Sequence, residues 1–234
     1  MDSKRLRVVG PPRSGTNYVK FLIESSTELE VGYNVGWWKH AIIPPLMHEV
    51  QSSFDETPTV ILWRDPLIQM AAFFKFAFIK GTAIRSDADT FSNFIRGPII
   101  TRTNYNRTFW YPNPVSYYIQ FYWAALSWDA NKVFLHLESI KKNPQIIFSS
   151  ISKLPSTNIS PSTIHIDARL YMCRNADKPR LAGWKFDNST TVAIEDAKNL
   201  DIIKSASQED REFILCREVQ DLIKQLSAYS LMEI

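Results

Sequence analysis

Arg13-Ser14-Gly15-Thr16-Asn17 puts a guanidinium, two hydroxyls and a glycine into five consecutive positions. The stretch follows Leu6-Arg7-Val8-Val9, a short apolar run closed by Gly10-Pro11-Pro12. It leads into a segment where Tyr18, Leu22 and Ser25 share one helical side, with Phe21 and Ile23 close by. The order is strand, loop, helix. A loop that feeds a helix N-terminus offers unpaired backbone N–H groups and the positive end of the helix dipole, and both suit an anion. Gly15 lets the backbone approach closely, Arg13 adds a fixed planar fork of donors, and Ser14 and Thr16 add hydroxyls. An ordinary strand-to-helix turn with capping residues uses the same residue types, so both readings stand at this level. The common nucleotide loop G-x-x-x-x-G-K-[ST] is absent. Gly10 and Gly15 have its spacing, but Thr16 occupies the lysine position and Asn17 the position of the magnesium-holding hydroxyl. That weakens a kinase or NTPase reading and leaves anion binding intact.

His40 closes Gly36-Trp37-Trp38-Lys39-His40, ahead of Pro44-Pro45. Histidine's ordinary pKa near neutrality suits removal of a proton from a hydroxyl; a loop histidine hydrogen-bonded beside two tryptophans is the other reading. Arg64 follows Val60-Ile61-Leu62-Trp63 and precedes Asp65-Pro66, where it can meet an anion or pair with a nearby acid. Arg174, Lys178 and Arg180 lie in a basic segment before Gly183-Trp184, which can close over a bound anion or remain a solvated loop. His48, His136 and His165 have weaker cases, His136 because it alternates with Leu135 and Leu137 in a strand pattern. No Cys/His cluster has metal spacing and no G-x-S-x-G elbow occurs, so nothing demands a metal.

These residues need elements to position them. Residues 6–9, 59–63 and 132–137 are short runs rich in Val, Ile, Leu and Phe, with helical patterns between or after them. The alternation predicts an α/β fold with a parallel sheet and helices on both faces. Ligands of such sheets sit at the carboxyl ends of the strands. Arg13 and Arg64 each come just past a strand end, so they are expected to converge on one ligand. Asp65-Pro66 starts a helix to about Ile79, Asn113-Pro114 another to about Asp129, and Asn143-Pro144 a third. Ser207-Gln208-Glu209-Asp210 resembles a capping box and leads one helix with Leu215, Val219, Leu222 and Leu226 on a single face. Of the aromatics from Phe109 to Trp123, some belong to the core, and Phe109–Pro112 can line an acceptor pocket.

Pro12-Arg13-Ser14-Gly15-Thr16-Asn17 resembles the 5′-phosphosulfate loop of the sulfotransferase superfamily, P-[KR]-S-G-T-[TN] directly after the first strand. Val60–Pro66 resembles the family's second strand with its R-[DN]-P turn. Asp89–Gly97 resembles its F-x-x-F-x-x-G helix, and Val133–Pro144 its "Y-E-D-L-K-K-D-P" segment. Four matches in the family's order span roughly residues 6 to 154. The resemblance implies a P-loop-like sulfotransferase fold, a parallel sheet flanked by helices. It implies 3′-phosphoadenosine 5′-phosphosulfate (PAPS) as co-substrate and no metal. Arg13, Ser14, Gly15, Thr16 and Asn17 would hold its 5′ end and Arg64 its 3′-phosphate, while Arg174, Lys178 or Arg180 would close over it. His40 would match the K-[ST]-H base, with Lys39 beside the sulfate. Arg13, where many soluble members have lysine, would act electrostatically, because arginine does not give up its proton.

Three departures stand out. Ala72 occupies the position of a serine that completes the family's 3′-phosphate site; the R-K-G-x-x-G-x-W element is not cleanly present; and only 26 residues lie between Arg13 and His40. The implied reaction is sulfuryl transfer to a hydroxyl of a carbohydrate or small metabolite. A P-loop-like kinase and a nucleotide-binding module without transfer are the alternatives.

At 234 residues, 45% apolar and 22% charged, residues 1–234 fit one globular domain. A net charge of +3 gives no general nucleic-acid footprint. The longest apolar segment, Leu67 to Ile79, is broken by Gln69 and Lys75 and is too short for a membrane span. Two cysteines, Cys173 and Cys216, and the absence of a signal-peptide pattern give the expectation of a cytoplasmic protein with buried thiols.

Overall fold

Along the apolar runs, side chains alternate between two buried faces. Leu6, Val8, Val60, Leu62, Val133 and Leu135 enter one core cluster. Val9, Ile61, Trp63 and Phe134 enter another. Burial on both faces is why these runs read as continuously apolar. A computed structural model describes residues 5–32, 39–42, 57–77, 84–102, 108–155, 157, 159 and 199–232. The strands among them are β1 (Arg5–Val9), β2 (Glu30–Gly32), β3 (Thr59–Trp63), β4 (Ile84–Arg85), β5 (Ile99–Arg102), β6 (Thr108–Tyr111) and β7 (Lys132–His136). The helices described in full are α1 (Thr16–Ser26), α2 (Pro66–Ala77), α3 (Phe91–Arg96), α4 (Pro114–Ser127), α5 (Leu137–Lys142), α6 (Gln145–Ile151), α7 (Gln208–Ile214) and α8 (Arg217–Met232); residues 199–205 are helical as well.

Four parallel strands form a sheet in the order β2-β1-β3-β7. Helices α1, α5 and α6 cover one face through Val19, Leu22, Ile23, Ile140, Ile147 and Phe148. Helices α2, α3, α4 and α8 cover the other, through residues such as Phe73, Phe94, Phe121 and Leu222. The architecture is thus α/β, with a parallel sheet flanked by helices. From β1 the chain goes out to β2, then returns past β1 to β3 on the far side. The strand order reverses between β1 and β3, and a ligand crevice is expected there, at their carboxyl ends. Those ends carry the Gly10–Gly15 loop and Arg64.

Capping follows the sequence signals. Asp65 Oδ1 accepts from the Ile68 N–H at 3.0 Å, and Asn113 Oδ1 from the Ser116 N–H at 2.7 Å. Ser207 and Asp210 form a reciprocal capping box. Asp210 also accepts from Ser92 at 2.8 Å and from Arg96, which ties α7 to α3.

The structure departs from the sequence expectations in three places. The C-terminal helix is two helices, interrupted at Leu215. The Leu215 carbonyl freed by the break accepts from the Gln220 side chain at 2.7 Å. The apolar spacing runs straight through the break, so the sequence pattern does not reveal it. Second, β4, β5 and β6 form a separate antiparallel sheet that the sequence reading did not foresee. These strands have two to four residues, too few to display an alternation. Third, β7 ends at His136, and Leu137 opens α5. Among the described residues no helix is long and apolar enough to cross a membrane.

Candidate anion site

The turn after β1 closes through a hydrogen bond from the Ser14 N–H to the Pro11 carbonyl, 3.1 Å. Arg13 has φ +69° and Gly15 φ +89°. The left-handed conformation costs a residue with a Cβ about 1–2 kcal/mol, so the surroundings must impose it on Arg13. Left-handed residues within a turn are the geometry in which successive N–H groups face one concavity, an anion nest. Both glycines are sterically required. A Cβ on Gly10 would stand 2.3 Å from Ser14 Oγ, and one on Gly15 would stand 2.5 Å from Leu137 Cδ1, at a φ already unfavourable for any side chain.

The two readings of this loop now separate. Gly15 is the N-cap of α1, and no side chain caps the helix. Ser14 and Thr16 therefore do not serve as caps. Ser14 is fully buried, and its Oγ has no hydrogen-bond partner among the described residues. An unsatisfied buried hydroxyl costs about 1–3 kcal/mol. An anion oxygen in the loop would supply the missing partner. Arg13 is exposed and lies with its guanidinium carbon 5.7 Å from the centre of the Phe76 ring, a cation–π contact.

His40 reaches the same loop despite the intervening chain. Its Nδ1 donates to the Gly10 carbonyl at 2.6 Å. The Gly10 N–H donates to the Lys39 carbonyl at 3.1 Å. Lys39 Nζ donates to Asn17 Oδ1, and the Tyr117 hydroxyl donates to the His40 carbonyl. With the proton on Nδ1, the basic lone pair of His40 belongs to Nε2. Burial, and then the charge of Lys39, push the His40 pKa down to about 3, only partly opposed by the bond to Gly10. The near-neutral value expected from the sequence is therefore not found, and the ring is held neutral.

Burial, and then the charge of Lys20, lower the Lys39 pKa to about 7. A nearby anion favours the charged ammonium. As pH rises above about 7, the unliganded protein loses this charge. Sulfate, whose own charge is constant in this range, should therefore bind more weakly, by up to about tenfold per pH unit for one coupled proton. Calorimetric titration of sulfate between pH 6 and pH 9 checks this, and Lys39→Met should flatten the profile.

Arg64 is 5% exposed, and its Nε donates to Glu138 Oε1 at 2.6 Å. Glu138 Oε2 lies 3.1 Å from His136 Nε2. His136 stacks on Trp63 with ring centres 4.2 Å apart, and its Nδ1 is 3.1 Å from Ser139 Oγ. Burial opposes ionisation of Glu138, but the His136 hydrogen bond and the Arg64 charge outweigh it and hold the carboxyl at about 2. The Tyr118 hydroxyl donates to the Arg64 carbonyl at 2.9 Å; burial first, then the charges of Asp65 and Glu138, push its phenol far up. Arg64 is thus committed to an acid on α5. Ala72 is buried on α2 and brings no hydroxyl.

One residue went unrecognised in the sequence. Gln69 appeared only as a break in an apolar run. It is fully buried, its Nε2 donates to the Pro12 carbonyl, and its Oε1 has no partner among the described residues. The available signal was a single amide among Met70, Ala71, Ala72 and Phe73. Arg174, Lys178 and Arg180 lie outside the described residues, as do Trp37, Trp38, His48, His165 and Cys173. Among the described residues no group of three or more His, Cys, Asp or Glu could hold a metal ion. No protein-family model matches the chain, and no curated protein sequence matches it.

Proposed function

We propose that this chain is a sulfotransferase with a P-loop-like fold, moving a sulfuryl group from PAPS to a hydroxyl of a carbohydrate or small metabolite. The observation that carries this reading is the joining of the uncapped, left-handed loop to His40 through Gly10. PAPS, when bound, supplies a sulfuryl group already joined to a good leaving phosphate. The Arg13 guanidinium, the loop N–H groups and the Ser14 hydroxyl stabilise negative charge on the sulfuryl and bridging oxygens. His40 Nε2 takes the acceptor's proton while its Nδ1–H keeps the ring against Gly10. The acceptor oxygen–sulfur bond forms, and the sulfur–oxygen bond to the 5′-phosphate breaks. The bonding pair leaves with that phosphate. A bound polyanion also raises the His40 pKa from its depressed value, which makes the ring a better base in the complex than in the free protein. Thr16 and Asn17, at the start of α1, and the segment with Arg174, Lys178 and Arg180 complete the cofactor set. The free thiol of Cys216 fits a cytoplasmic enzyme.

The two ends of PAPS fit unequally. The loop suits the 5′-phosphosulfate. The 3′-phosphate would approach an arginine already paired with Glu138, beside Ala72. This pairing, with the protonation-resistant His40, favours a second reading: a nucleotide-binding module without transfer.

Thermal unfolding tests both. Adenosine 3′,5′-bisphosphate at about 100 times its Kd should add roughly 2.7 kcal/mol of stability. For a domain of this size that raises Tm by about 5–10 °C. ATP should not reproduce the shift. Stabilisation without sulfotransfer would select the binding module, and stabilisation by ATP with magnesium alone would select the kinase.

A further inference from the structure

We infer that Gln69 is the positioning residue of the anion loop, its side-chain amide fixing the Pro12–Arg13 peptide so that the Arg13 N–H faces the anion. The inference rests on the anion-site reading above. A trans peptide is planar, so its C=O and N–H point in opposite directions. Gln69 Nε2 holds the Pro12 carbonyl. The Arg13 N–H belongs to the same plane and is thereby turned to the other side. Rotating this plane would change ψ of Pro12 and φ of Arg13 together. The bond from Gln69 opposes that rotation, and it is a specific reason why a non-glycine residue keeps φ +69° here. Neighbouring restraints leave this plane as the loop's main freedom. The pyrrolidine rings fix φ of Pro11 and Pro12, and the Ser14 N–H is already bonded to Pro11.

Gln69 is itself well anchored. Its backbone N–H donates to the Asp65 carbonyl at 2.8 Å in the first turn of α2, and its side chain is fully buried. Asp65 follows Arg64 at the end of β3. The amide therefore links the loop after β1 to the helix after β3, across the switch point where the ligand would sit. A merely space-filling residue in this apolar stretch would have no use for an amide, and an amide without this bond would be an expensive one to bury.

The test uses the whole chain, with sodium sulfate and adenosine 3′,5′-bisphosphate as probes. Gln69→Met keeps the volume and removes the donor. It should weaken both probes by about tenfold or more, the scale of one lost hydrogen bond to a charged group. The φ of Arg13, read from NMR scalar couplings, should leave the left-handed region. Gln69→Glu should bind poorly at pH 8, where a carboxylate faces the Pro12 carbonyl. As pH falls and the carboxyl becomes a donor, its affinity relative to wild type at the same pH should recover; Gln69→Met should show no such recovery. Wild-type affinity and unchanged Arg13 φ in Gln69→Met would overturn the inference. If Gln69→Met does not fold, a flat relative affinity for Gln69→Glu across pH does the same. If the wild-type protein binds neither probe, the anion-site reading fails, and the Arg13 φ in Gln69→Met still decides whether the clamp exists.

Discussion

Arg13→Ala should lower sulfotransfer turnover by about 10²–10³-fold, the usual loss when one preorganised donor to developing charge is removed. The side chain is exposed, while the loop's Gly10, Pro11, Pro12 and Ser14 are buried. It rests over the half-buried Phe76 ring in a cation–π contact. Alanine keeps the left-handed backbone under the same strain, so the comparison removes the guanidinium and little else. Arg13→Lys should recover part of the rate, because it restores charge without the planar fork. Steady-state kinetics under saturating acceptor measures the ratio. Near-normal turnover in Arg13→Ala would take Arg13 out of the mechanism and leave the backbone as the anion ligand.

Replacing His40 should reveal two separable jobs. His40→Asn can keep an N–H close to the position of Nδ1 and so retain the bond to the Gly10 carbonyl, while losing the Nε2 base. Turnover should fall by about 10²–10⁴-fold, the range for losing a general base, with the Kd for adenosine 3′,5′-bisphosphate close to wild type. His40→Ala should lose turnover to a similar degree and also weaken the bisphosphate, because Gly10 is released. Parallel kinetics and calorimetry on the two variants decide the matter. Full activity in His40→Asn would show that the ring is a strut for the loop and that no proton passes through it.

The parts legible in the sequence were those specified by local chemistry. Short runs rich in Val, Ile, Leu and Phe marked β1, β3 and β7, because strands buried on both faces have a one-dimensional signature. Asp65, Asn113 and Ser207 announced their helices through side-chain caps that need only neighbouring residues. What the sequence did not show depends on distant partners. Nothing within Val60–Pro66 says that Arg64 meets Glu138, 74 residues on. Gln69 looked like an interruption, since its partner, Pro12, lies 57 residues earlier. The pKa of His40 was misjudged for the same reason: burial and the Lys39 charge are properties of packing, and they outweigh the intrinsic value.

Trp63 ends β3 with its indole N–H bonded to Ser230 Oγ at 3.0 Å, and the same hydroxyl donates to the Phe134 carbonyl at 3.0 Å. The partner of Trp63 lies 167 residues further along the chain. At synthesis rates of about 5–20 residues per second, roughly 8–33 s pass between the emergence of the two. In that interval α1, α5 and α6 can already cover their side of the sheet, since all three precede residue 152. On the opposite side α2, α3 and α4 are also in place by then, and only the part over β7 and α4 waits for Val219, Leu222 and Leu226. A nascent chain of this protein should therefore pass through a state with one face closed and the other open only over β7, where Trp63 and Phe134 wait for α8. That exposed aromatic strip is what a ribosome-associated chaperone would be expected to hold until α8 arrives.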